Sequence, residues 1–471
     1  MRLALQQIAG MIGARAPEEG AEAAAGGYSI DSRTLRPGEL FFALRGGCSD
    51  GHEFVQAALD GGALAAVVEQ GRLAPSARLL EVPDPKAALQ KLAAEARRQW
   101  GGRIVAITGS NGKTTTKEIT SALLATRFRV DKSEGNLNND LGLPLSLLRM
   151  KEASEVGVME LGMNHAGELR ELAAIAAPQI GLVTNVNLVH LEFFRSVDEI
   201  ALAKRELIEG LPADGAAVLN ADDERVSRFA DFHRSRGPAA PVVSFGVENT
   251  ADVRAVGIQD LGLKGTRFRL EACGQEFFTP LAGRHNLYNT LAALAVARAL
   301  GLAPVYLSDA VAGLRPARLR GEILEADGIQ IINDCYNSNP RAAEMMLDLL
   351  ATLVARRRVA VLGEMLELGE NSEALHRQVG RKAAQAKLSM LAGVGGAARY
   401  LVEEAVGEGF PSSAAWFFQD AAQAGEHLRT VFQPGDAVLF KGSRGVRLEK
   451  ALQAVIESLE SSAVPLTPGQ R

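Results

Sequence analysis

Apolar runs and amphipathic segments alternate along most of the chain. Residues 104–107 are all apolar and are predicted to form a buried parallel strand, and the apolar residues between Lys113 and Leu124 then recur at helical spacing. Residues 216–279 favour a succession of strands instead. From about Leu314 onwards, strands and helices alternate regularly, which is typical of a doubly wound sheet. The pattern therefore predicts an α/β protein whose parts differ in how strands and helices follow one another.

A glycine-rich turn joins the strand over residues 104–107 to the helix that begins at Lys113. The backbone N–H groups of such a turn and the positive N-terminal end of the helix can bind an anion. We expect Lys113 to reach the terminal phosphates of a nucleotide and the Thr114 hydroxyl to hold Mg²⁺. Ile107 stands where the usual phosphate loop has its first glycine, so a plain strand-to-helix turn is the alternative. Strand, turn, Lys-Thr pair and helix together favour an ATP site, with these predicted binding residues: Gly109, Ser110, Asn111, Gly112, Lys113, Thr114 and Thr115.

The 471 residues suffice for about three domains. We predict an α/β fold with a small N-terminal α/β substrate domain over residues 1–84 and a central P-loop ATPase domain with a mostly parallel sheet over residues 85–314. A Rossmann-like, doubly wound domain follows over residues 315–471. Such a division would put the reaction centre at domain junctions.

Polar residues near the ends of predicted strands are the other candidates. Glu160 ends a strand and should lie near the phosphates as a magnesium ligand, because ligands bind outside the carboxyl ends of parallel strands. His190 follows the next strand, but a lone histidine is more often structural and Mg²⁺ prefers oxygen. Lys204 taken alone is most simply a solvated surface lysine. Asn286 and Asn289 share a helical face, and their spacing does not choose between capping a helix and contacting a base.

Composition and charge exclude several classes of protein. With 47% apolar residues, 23% charged residues and a net charge of −5, the chain does not suggest a nucleic-acid or membrane-surface binder. Cys48, Cys273 and Cys335 are far apart and lack the spacing of a metal site, which favours a reduced, cytoplasmic protein. No apolar run approaches the ~20 residues that a membrane span needs, so we expect no signal peptide and no membrane insertion.

The combined motifs resemble those of the Mur ligases, the ATP-dependent amide-bond formers of peptidoglycan synthesis. The resemblance is carried by residues 108–114, Glu160-Leu-Gly, His190 and residues 284–289. It extends to these further motifs: Asp31-Ser-Arg33 with residues 41–44, residues 135–140 with Gly142-x-Pro144, residues 334–340, residues 363–369 with His376, and residues 441–444. They occur in the family's order over nearly the whole chain, and they are most similar to the branch that joins D-alanyl-D-alanine to UDP-N-acetylmuramoyl-tripeptide.

The resemblance implies a mechanism and a set of roles. The tripeptide carboxylate would attack the γ-phosphate of ATP, and the amine of D-alanyl-D-alanine would then displace phosphate from the acyl phosphate. Lys113, His190 and Lys204 would be the catalytic residues. Thr114 and Glu160 would bind one Mg²⁺ and His190 a second, and Lys204 matches a lysine that relatives modify with CO₂. The remaining implied contacts are Asn286, Asn289, Arg320 (or Arg318) and Asp334 for ATP; Ser29, Ser32 and Arg33 for the uridine diphosphate end; Asn138 and Asn139 for the middle of the substrate; and Asn339, Lys441 and Ser443 near D-alanyl-D-alanine.

Three alternatives remain beside this interpretation: a sister ligase that adds the third amino acid, a folylpolyglutamate synthase, and a nucleotide-binding regulator without turnover. The first lacks support because no Asp-Asn-Pro-Arg signature occurs, and the second would leave the N-terminal domain superfluous. Retention of Lys113, Thr114, Glu160 and His190 argues against the third. Asn333 and Ser338 depart mildly from the family pattern, which has aspartate and alanine there. We expect a monomer, and the third residue of the tripeptide stays open between lysine and diaminopimelate.

Overall fold

The strands of the protein form three separate sheets that follow one another along the chain. The structure is a computed structural model, which describes residues 1–17, 20–47, 49–74, 76–188, 192–237 and 240–462. All three sheets are wholly or mostly parallel and are flanked by helices. The predicted α/β fold is therefore confirmed.

The first sheet is small and parallel, with its strands in the order β1-β2-β3-β4. Its middle strands are continuously apolar because both of their faces are covered: Leu40 and Phe42 pack into one cluster, and Phe41 into another. The elements are α1 (Leu5–Ile12), β1 (Gly27–Ser29), β2 (Glu39–Phe42), α2 (Val55–Asp60), β3 (Ala65–Glu69) and β4 (Leu79–Val82).

The second sheet has nine strands in the order β13-β12-β11-β10-β9-β8-β5-β7-β6. It is parallel from β6 to β11, and β12 and β13 extend it as an antiparallel ribbon. Its elements are α3 (Pro85–Trp100), β5 (Arg103–Thr108), α4 (Lys113–Leu124), β6 (Val130–Lys132), α5 (Gly142–Arg149), β7 (Val156–Glu160), α6 (Glu168–Ala176), β8 (Ile180–Val183), α7 (Val197–Glu209), β9 (Ala216–Asn220), α8 (Glu224–Ser227), α9 (Phe229–Ser235), β10 (Val242–Gly246), β11 (Val253–Asp260), β12 (Thr266–Leu270), β13 (Glu276–Thr279), α10 (Arg284–Ala299) and α11 (Ser308–Ala312).

The third sheet has the order β14-β15-β19-β16-β17-β18, and only its edge strand β14 is antiparallel to its neighbour. It is the predicted doubly wound sheet, since buried clusters cover both of its faces. Its elements are β14 (Glu322–Ala326), β15 (Ile329–Asp334), α12 (Pro340–Thr352), β16 (Arg357–Gly363), α13 (Ser372–Gln385), β17 (Met390–Val394), α14 (Ala398–Gly407), β18 (Ala415–Phe418), α15 (Ala421–Leu428), β19 (Asp436–Lys441) and α16 (Glu449–Ser462).

The hydrophobic cores explain how the first two sheets are held together. One buried cluster runs from Ile8 and Leu80 around the first sheet through Leu89 of α3 to Leu207 of α7. The opposite face of the central sheet packs against α4 and α10. The central sheet is thus covered on both faces, which fixes β5, α4 and the turn between them.

Within the described residues, the structure contains no helix that is long and apolar enough to cross a membrane.

Candidate active site

A cavity of about 1100 Å³ lies between the central and the C-terminal sheets. The predicted residues that line it are Ser110, Asn111, Gly112, Lys113, Thr114, Thr115, Asn138, Asn139, Glu160, Asn286, Asn289, Arg320, Asp334, Asn339, Lys441 and Ser443. The turn after β5 and the residues that follow β15 and β19 face each other across it. The structure therefore brings most of the predicted nucleotide and dipeptide residues into one cleft.

The turn between β5 and α4 needs two of its glycines for close approach. A Cβ at Gly109, where φ is +147°, would lie 1.8 Å from Thr184 Oγ1, and a Cβ at Gly112, where φ is +82°, would lie 2.4 Å from Asn289 Oδ1. Strand β5 continues to Thr108, so Ile107 belongs to the strand. The shortened glycine pattern thus fits a turn that begins later than the usual phosphate loop.

The loop after β8 supports this turn, and sequence reasoning missed that support. The Asn111 carbonyl accepts hydrogen bonds from Thr184 Oγ1 at 2.7 Å and Asn185 Nδ2 at 3.0 Å, and the Asn111 N–H donates to Asn185 Oδ1 at 3.0 Å. The Lys113 ammonium donates to the Gly109 carbonyl at 2.8 Å. Burial lowers the pKa of Lys113, and Glu160 raises it while Arg320 lowers it further. The turn is thus ordered by neighbours and carries a cation at its helix end.

Thr114 and Glu160 form the candidate metal site. Thr114 Oγ1 donates to Glu160 Oε2 at 2.7 Å, Asn138 Nδ2 donates to Glu160 Oε1 at 2.9 Å, and Glu160 is only 3% exposed. Hydroxyl and carboxylate oxygens suit Mg²⁺, which commonly takes one or two protein ligands and completes its shell with phosphates and water. Over the described ranges, no group of three or more His, Cys, Asp and Glu side chains is arranged so that it could hold a metal ion. The donor set therefore fits an ion shared with a nucleotide. His190 lies outside the described residues.

Lys204 is buried, so the expectation of a solvated surface lysine is wrong. It lies on α7 among Ile200, Leu207 and Ile208, and it is only 1% exposed. Burial holds the pKa of the Lys204 amine well below its usual range, and the positive charge of Lys113 acts in the same direction. A larger share of this amine is therefore neutral and nucleophilic than for a surface lysine.

Two contacts build the C-terminal wall of the cleft. Lys441 donates to Asp334 Oδ2 at 2.6 Å and to the Asn337 carbonyl at 2.9 Å, and the parallel register of β15 and β19 sets Asp334 beside Lys441. Asn339 Nδ2 donates to Asn111 Oδ1 at 2.6 Å, while Asn339 Oδ1 accepts from Ala342 N at 2.9 Å and caps α12. The Asn111–Asn339 hydrogen bond thus joins the C-terminal wall directly to the phosphate turn.

The remaining side chains predicted to contact the nucleotide form hydrogen bonds with one another and with their neighbours. Thr116 Oγ1 donates to Asn289 Oδ1, Asn289 Nδ2 to Asn286 Oδ1, and Asn286 Nδ2 to the Ala282 carbonyl, at 3.2, 3.1 and 2.8 Å. The Arg320 guanidinium lies 3.8 Å from the centre of the Tyr336 ring.

Arg320 lines the cavity, and Arg318 is not among the described residues that do. Ser443 Oγ accepts from Leu366 N at 3.0 Å, and Asn139 Oδ1 accepts from Gly142 N at 2.8 Å. These side chains are therefore ordered by the protein itself.

The predicted uridine-end residues lie elsewhere. Of the described residues that line the cavity, none is Ser29, Ser32 or Arg33. Arg33 forms a two-pronged ion pair with Asp31, with Nε–Oδ1 and Nη2–Oδ2 distances of 2.9 and 2.7 Å. These side-chain hydrogen bonds, and after them one from the Arg33 backbone N–H, lower the pKa of Asp31 to about 2.

Asp222 also lines the cleft and was not predicted. It accepts from the Tyr288 hydroxyl at 2.8 Å and from Val247 N at 2.6 Å. These backbone and hydroxyl hydrogen bonds outweigh the effect of burial and lower its pKa. Its signal was available: Asp222 follows the carboxyl end of β9, as Glu160 ends β7.

Comparison with known proteins agrees with this arrangement. The chain matches the catalytic domain of the Mur ligase family over residues 25–97, the Mur ligase middle domain over residues 107–297 and the Mur ligase, glutamate ligase domain over residues 319–444. It is 32% identical to UDP-N-acetylmuramoyl-tripeptide–D-alanyl-D-alanine ligase of Bacillus subtilis (strain 168), over 92% of this chain and 93% of the relative.

Two solved structures extend the likeness to the fold. MurF from Acinetobacter baumannii superposes with a TM-score of 0.87 at 29% identity, covering 97% of this chain and 99% of the other. MurF ligase from Thermotoga maritima, solved in complex with ADP, gives a TM-score of 0.81 at 30% identity over 93% and 99% of the two chains. Family domains, a full-length relative and the fold all agree, and this chain belongs to the Mur ligase family.

Proposed function

We propose that this protein is an ATP-dependent ligase that joins D-alanyl-D-alanine to UDP-N-acetylmuramoyl-tripeptide. The observation that carries the proposal is the convergence of Lys113, Thr114 and Glu160 at one edge of the central sheet, in a cleft that Asn339 closes from the C-terminal side. The relatives with the same domains over nearly their whole length bear the name of this activity.

In the first step the tripeptide carboxylate approaches the γ-phosphate of ATP, so two anions must meet. Lys113 supplies positive charge at this point, and the N–H groups of the turn orient the phosphates. Thr114 and Glu160 would hold Mg²⁺, which would supply further positive charge against the repulsion of the two anions. The wall formed by Asn339 and Lys441 keeps water from the acyl phosphate until the amine of D-alanyl-D-alanine attacks it.

Lys204 serves this reaction as a carbamate. Its amine is buried and its pKa is lowered, so the neutral form that reacts with CO₂ is available. A protonated Lys204 is costly to bury and is repelled by the positive charge of Lys113. Carbamylation makes the group an anion, which the charge of Lys113 attracts. Such an anion would offer oxygen ligands to a second Mg²⁺, and His190 is the other ligand that we propose for it.

The other assignments are proposed from membership of the Mur ligase family. Asn286, Asn289, Arg320 and Asp334 contact ATP; Asn138 and Asn139 contact the middle of the tripeptide substrate; and Asn339, Lys441 and Ser443 contact D-alanyl-D-alanine. Ser29, Ser32 and Arg33 contact the uridine diphosphate. We further propose a monomer that works in the cytoplasm, where its co-substrate ATP is found.

The experiment that tests the proposal measures phosphate release from ATP with UDP-N-acetylmuramoyl-tripeptide, adding D-alanyl-D-alanine, L-lysine, diaminopimelate or glutamate in parallel. We expect release that depends on D-alanyl-D-alanine and a pentapeptide product identified by mass. Release that depends on a single amino acid would instead favour a sister ligase. Binding of ATP without release under any condition would favour the nucleotide-binding regulator.

A further inference from the structure

Lys117 is a buried cation to which none of these assignments gives a role. It lies on α4, one helical turn after Lys113, and its side chain is fully buried. Its ammonium donates to the Ser133 carbonyl at 2.6 Å and to the Gly135 carbonyl at 3.4 Å, and it lies 3.3 Å from Glu118 Oε1. An ammonium group has three donors, and here each of them has an oxygen partner. Such complete pairing makes burial of the charge tolerable.

The two carbonyls belong to the segment of residues 133–138, which we call the 133–138 loop. The beginning of this loop contacts the backbone of Glu160, because Ser133 Oγ accepts from Glu160 N at 3.1 Å. The end of the loop contacts its side chain, because Asn138 Nδ2 donates to Glu160 Oε1 at 2.9 Å, and the Asn138 carbonyl accepts from Gly162 N at 2.8 Å. The loop therefore holds Glu160 at two points, its backbone N–H through Ser133 and its carboxylate through Asn138.

Helix α4 carries both Lys117, which binds the loop, and Thr114, which binds Glu160. α4 begins at Lys113 and supplies Thr114, whose hydroxyl donates to the second carboxylate oxygen, Glu160 Oε2, at 2.7 Å. Lys117 thus ties the helix that carries the hydroxyl to the loop that orients the carboxylate. The tie adds a direct contact to the pairing of β5 with β7, which sets Glu160 beside Ile107.

We propose that Lys117 is a positioning residue that sets the relative placement of Thr114 and Glu160 and thereby the affinity of the nucleotide site for a divalent cation. The inference rests on the proposed function in one respect, namely that Thr114 and Glu160 hold the metal that accompanies the nucleotide. Partners that orient metal ligands typically change metal affinity by about 10- to 100-fold when they are removed. Lys117 contacts Glu160 only through the 133–138 loop and not directly, so we expect an effect at the lower end of that range.

The test measures binding of Mn²⁺, as a spectroscopic substitute for Mg²⁺, to the protein with ADP, by the loss of the free Mn²⁺ electron paramagnetic resonance signal. We expect Lys117→Met to weaken Mn²⁺ binding about tenfold and to leave ADP binding in the presence of EDTA within about twofold of the wild type. Lys132→Met is the matched control, because Lys132 also pairs with Glu118 but lies on the surface and has no hydrogen bond to the loop. It should bind Mn²⁺ like the wild type.

A second variant tests the same path from its other end. Asn138 is partly exposed, so Asn138→Ala is expected to fold, and it should weaken Mn²⁺ binding to a similar degree. The double variant should bind Mn²⁺ no more weakly than Lys117→Met does, because both substitutions act through Glu160. If Lys117→Met does not fold, Lys117→Arg replaces it, since a planar guanidinium cannot reproduce the bonds of a compact ammonium, and Mn²⁺ binding should still weaken several-fold.

Two results would overturn the inference. One is Mn²⁺ binding within twofold of the wild type in a folded Lys117 variant, or in Asn138→Ala. The other is an equal loss of ADP binding with and without metal, which would mean that the substitution distorts α4 and the turn rather than the metal site. The assay contains neither tripeptide nor dipeptide, so a failed ligase assignment leaves its outcome unaffected.

Discussion

The phosphate turn of the central sheet and the turn around Arg33 in the N-terminal sheet were both predicted to bind substrate, yet they are built differently. At the phosphate turn, hydrogen bonds join residues that are far apart in the chain: Thr114 to Glu160 over 46 positions, and Asn339 to Asn111 over 228. At the N-terminal turn the bonds are local, from Asp31 to Ser29 and from Arg33 to Asp31, each over two positions.

The difference teaches what each region can contribute. Polar groups that are held by distant, partly buried neighbours are preorganised, and preorganised charges stabilise a transition state without the cost of reorganisation. Groups on an exposed turn must give up their present partners and lose side-chain freedom when a ligand binds, so they contribute to affinity at most. Substitutions at the phosphate turn should therefore lower kcat, and substitutions at the N-terminal turn should raise KM alone.

The largest effect is expected at Lys113. Lys113→Ala should lower kcat by about a thousandfold or more, because it removes the positive charge from the site at which, in the proposed mechanism, two anions meet. The fold should persist, since the ammonium makes one hydrogen bond, to the Gly109 carbonyl. ADP release measures the rate, and circular dichroism measures the fold. A folded variant with near-normal turnover would remove Lys113 from the mechanism and erase the contrast between the two turns.

The next effect is expected at Lys204. Lys204→Ala should lower kcat on the order of a hundredfold, because it removes the buried anion that carbamylation would create. Acetate or formate should restore part of the activity by occupying the vacated space as an oxygen donor. The control is Lys113→Ala, which lacks a cation and should gain nothing from added carboxylate. Full activity of Lys204→Ala without rescue would show that its burial is structural only.

These two lysines also mark how far sequence reasoning reaches. The strand, the turn, Lys113 and Glu160 follow local rules: an apolar run, a glycine turn and a carboxylate at the end of a parallel strand. Burial of Lys204 was also legible, because Ile200 lies four positions before it and Leu207 and Ile208 follow at three and four. The usual behaviour of lysine, taken alone, pointed to the surface instead.

Other features could not be predicted. Lys117 is buried on a face of α4 that also carries Thr114, Thr120 and Ser121, so apolar periodicity does not reveal that the face is covered. The hydrogen bond between Asn111 and Asn339 depends on how two sheets pack, and no local pattern encodes it. The fold and the sheet edge that carries the candidate site thus follow from local sequence, whereas closure of the cleft follows from packing.

Asn339 allows the contribution of this packing contact to be measured. Asn339→Ser should retain the cap of α12, because serine is a good N-cap, but its shorter side chain lacks the amide donor to Asn111. We expect kcat to fall about tenfold, since closure orients the reacting groups, with an unchanged melting temperature. Asn339→Ala should show the same kinetic loss and in addition lose about 1 kcal/mol of folding stability through the missing cap. Unchanged kinetics in both variants would mean that the hydrogen bond does not contribute to closure.

The smallest effect is expected at Arg33, whose side chain is 86% exposed. Arg33→Ala should raise KM for the UDP-linked substrate about three- to tenfold, in keeping with the loss of one exposed charged contact, and leave kcat and the KM for ATP unchanged.

The pH dependence of stability offers an independent check on Arg33. Because Arg33 lowers the pKa of Asp31 to about 2, the stabilisation by the pair is present above the ordinary aspartate pKa of about 4 and is lost only as the pH falls towards 2. The free energies of unfolding of Arg33→Ala and the wild type should therefore differ by a constant amount above pH 5 and approach each other below pH 4. A fall in kcat comparable to that of the Lys113 variant would contradict the comparison, because an exposed, locally paired turn would then have to move into the cleft during the reaction.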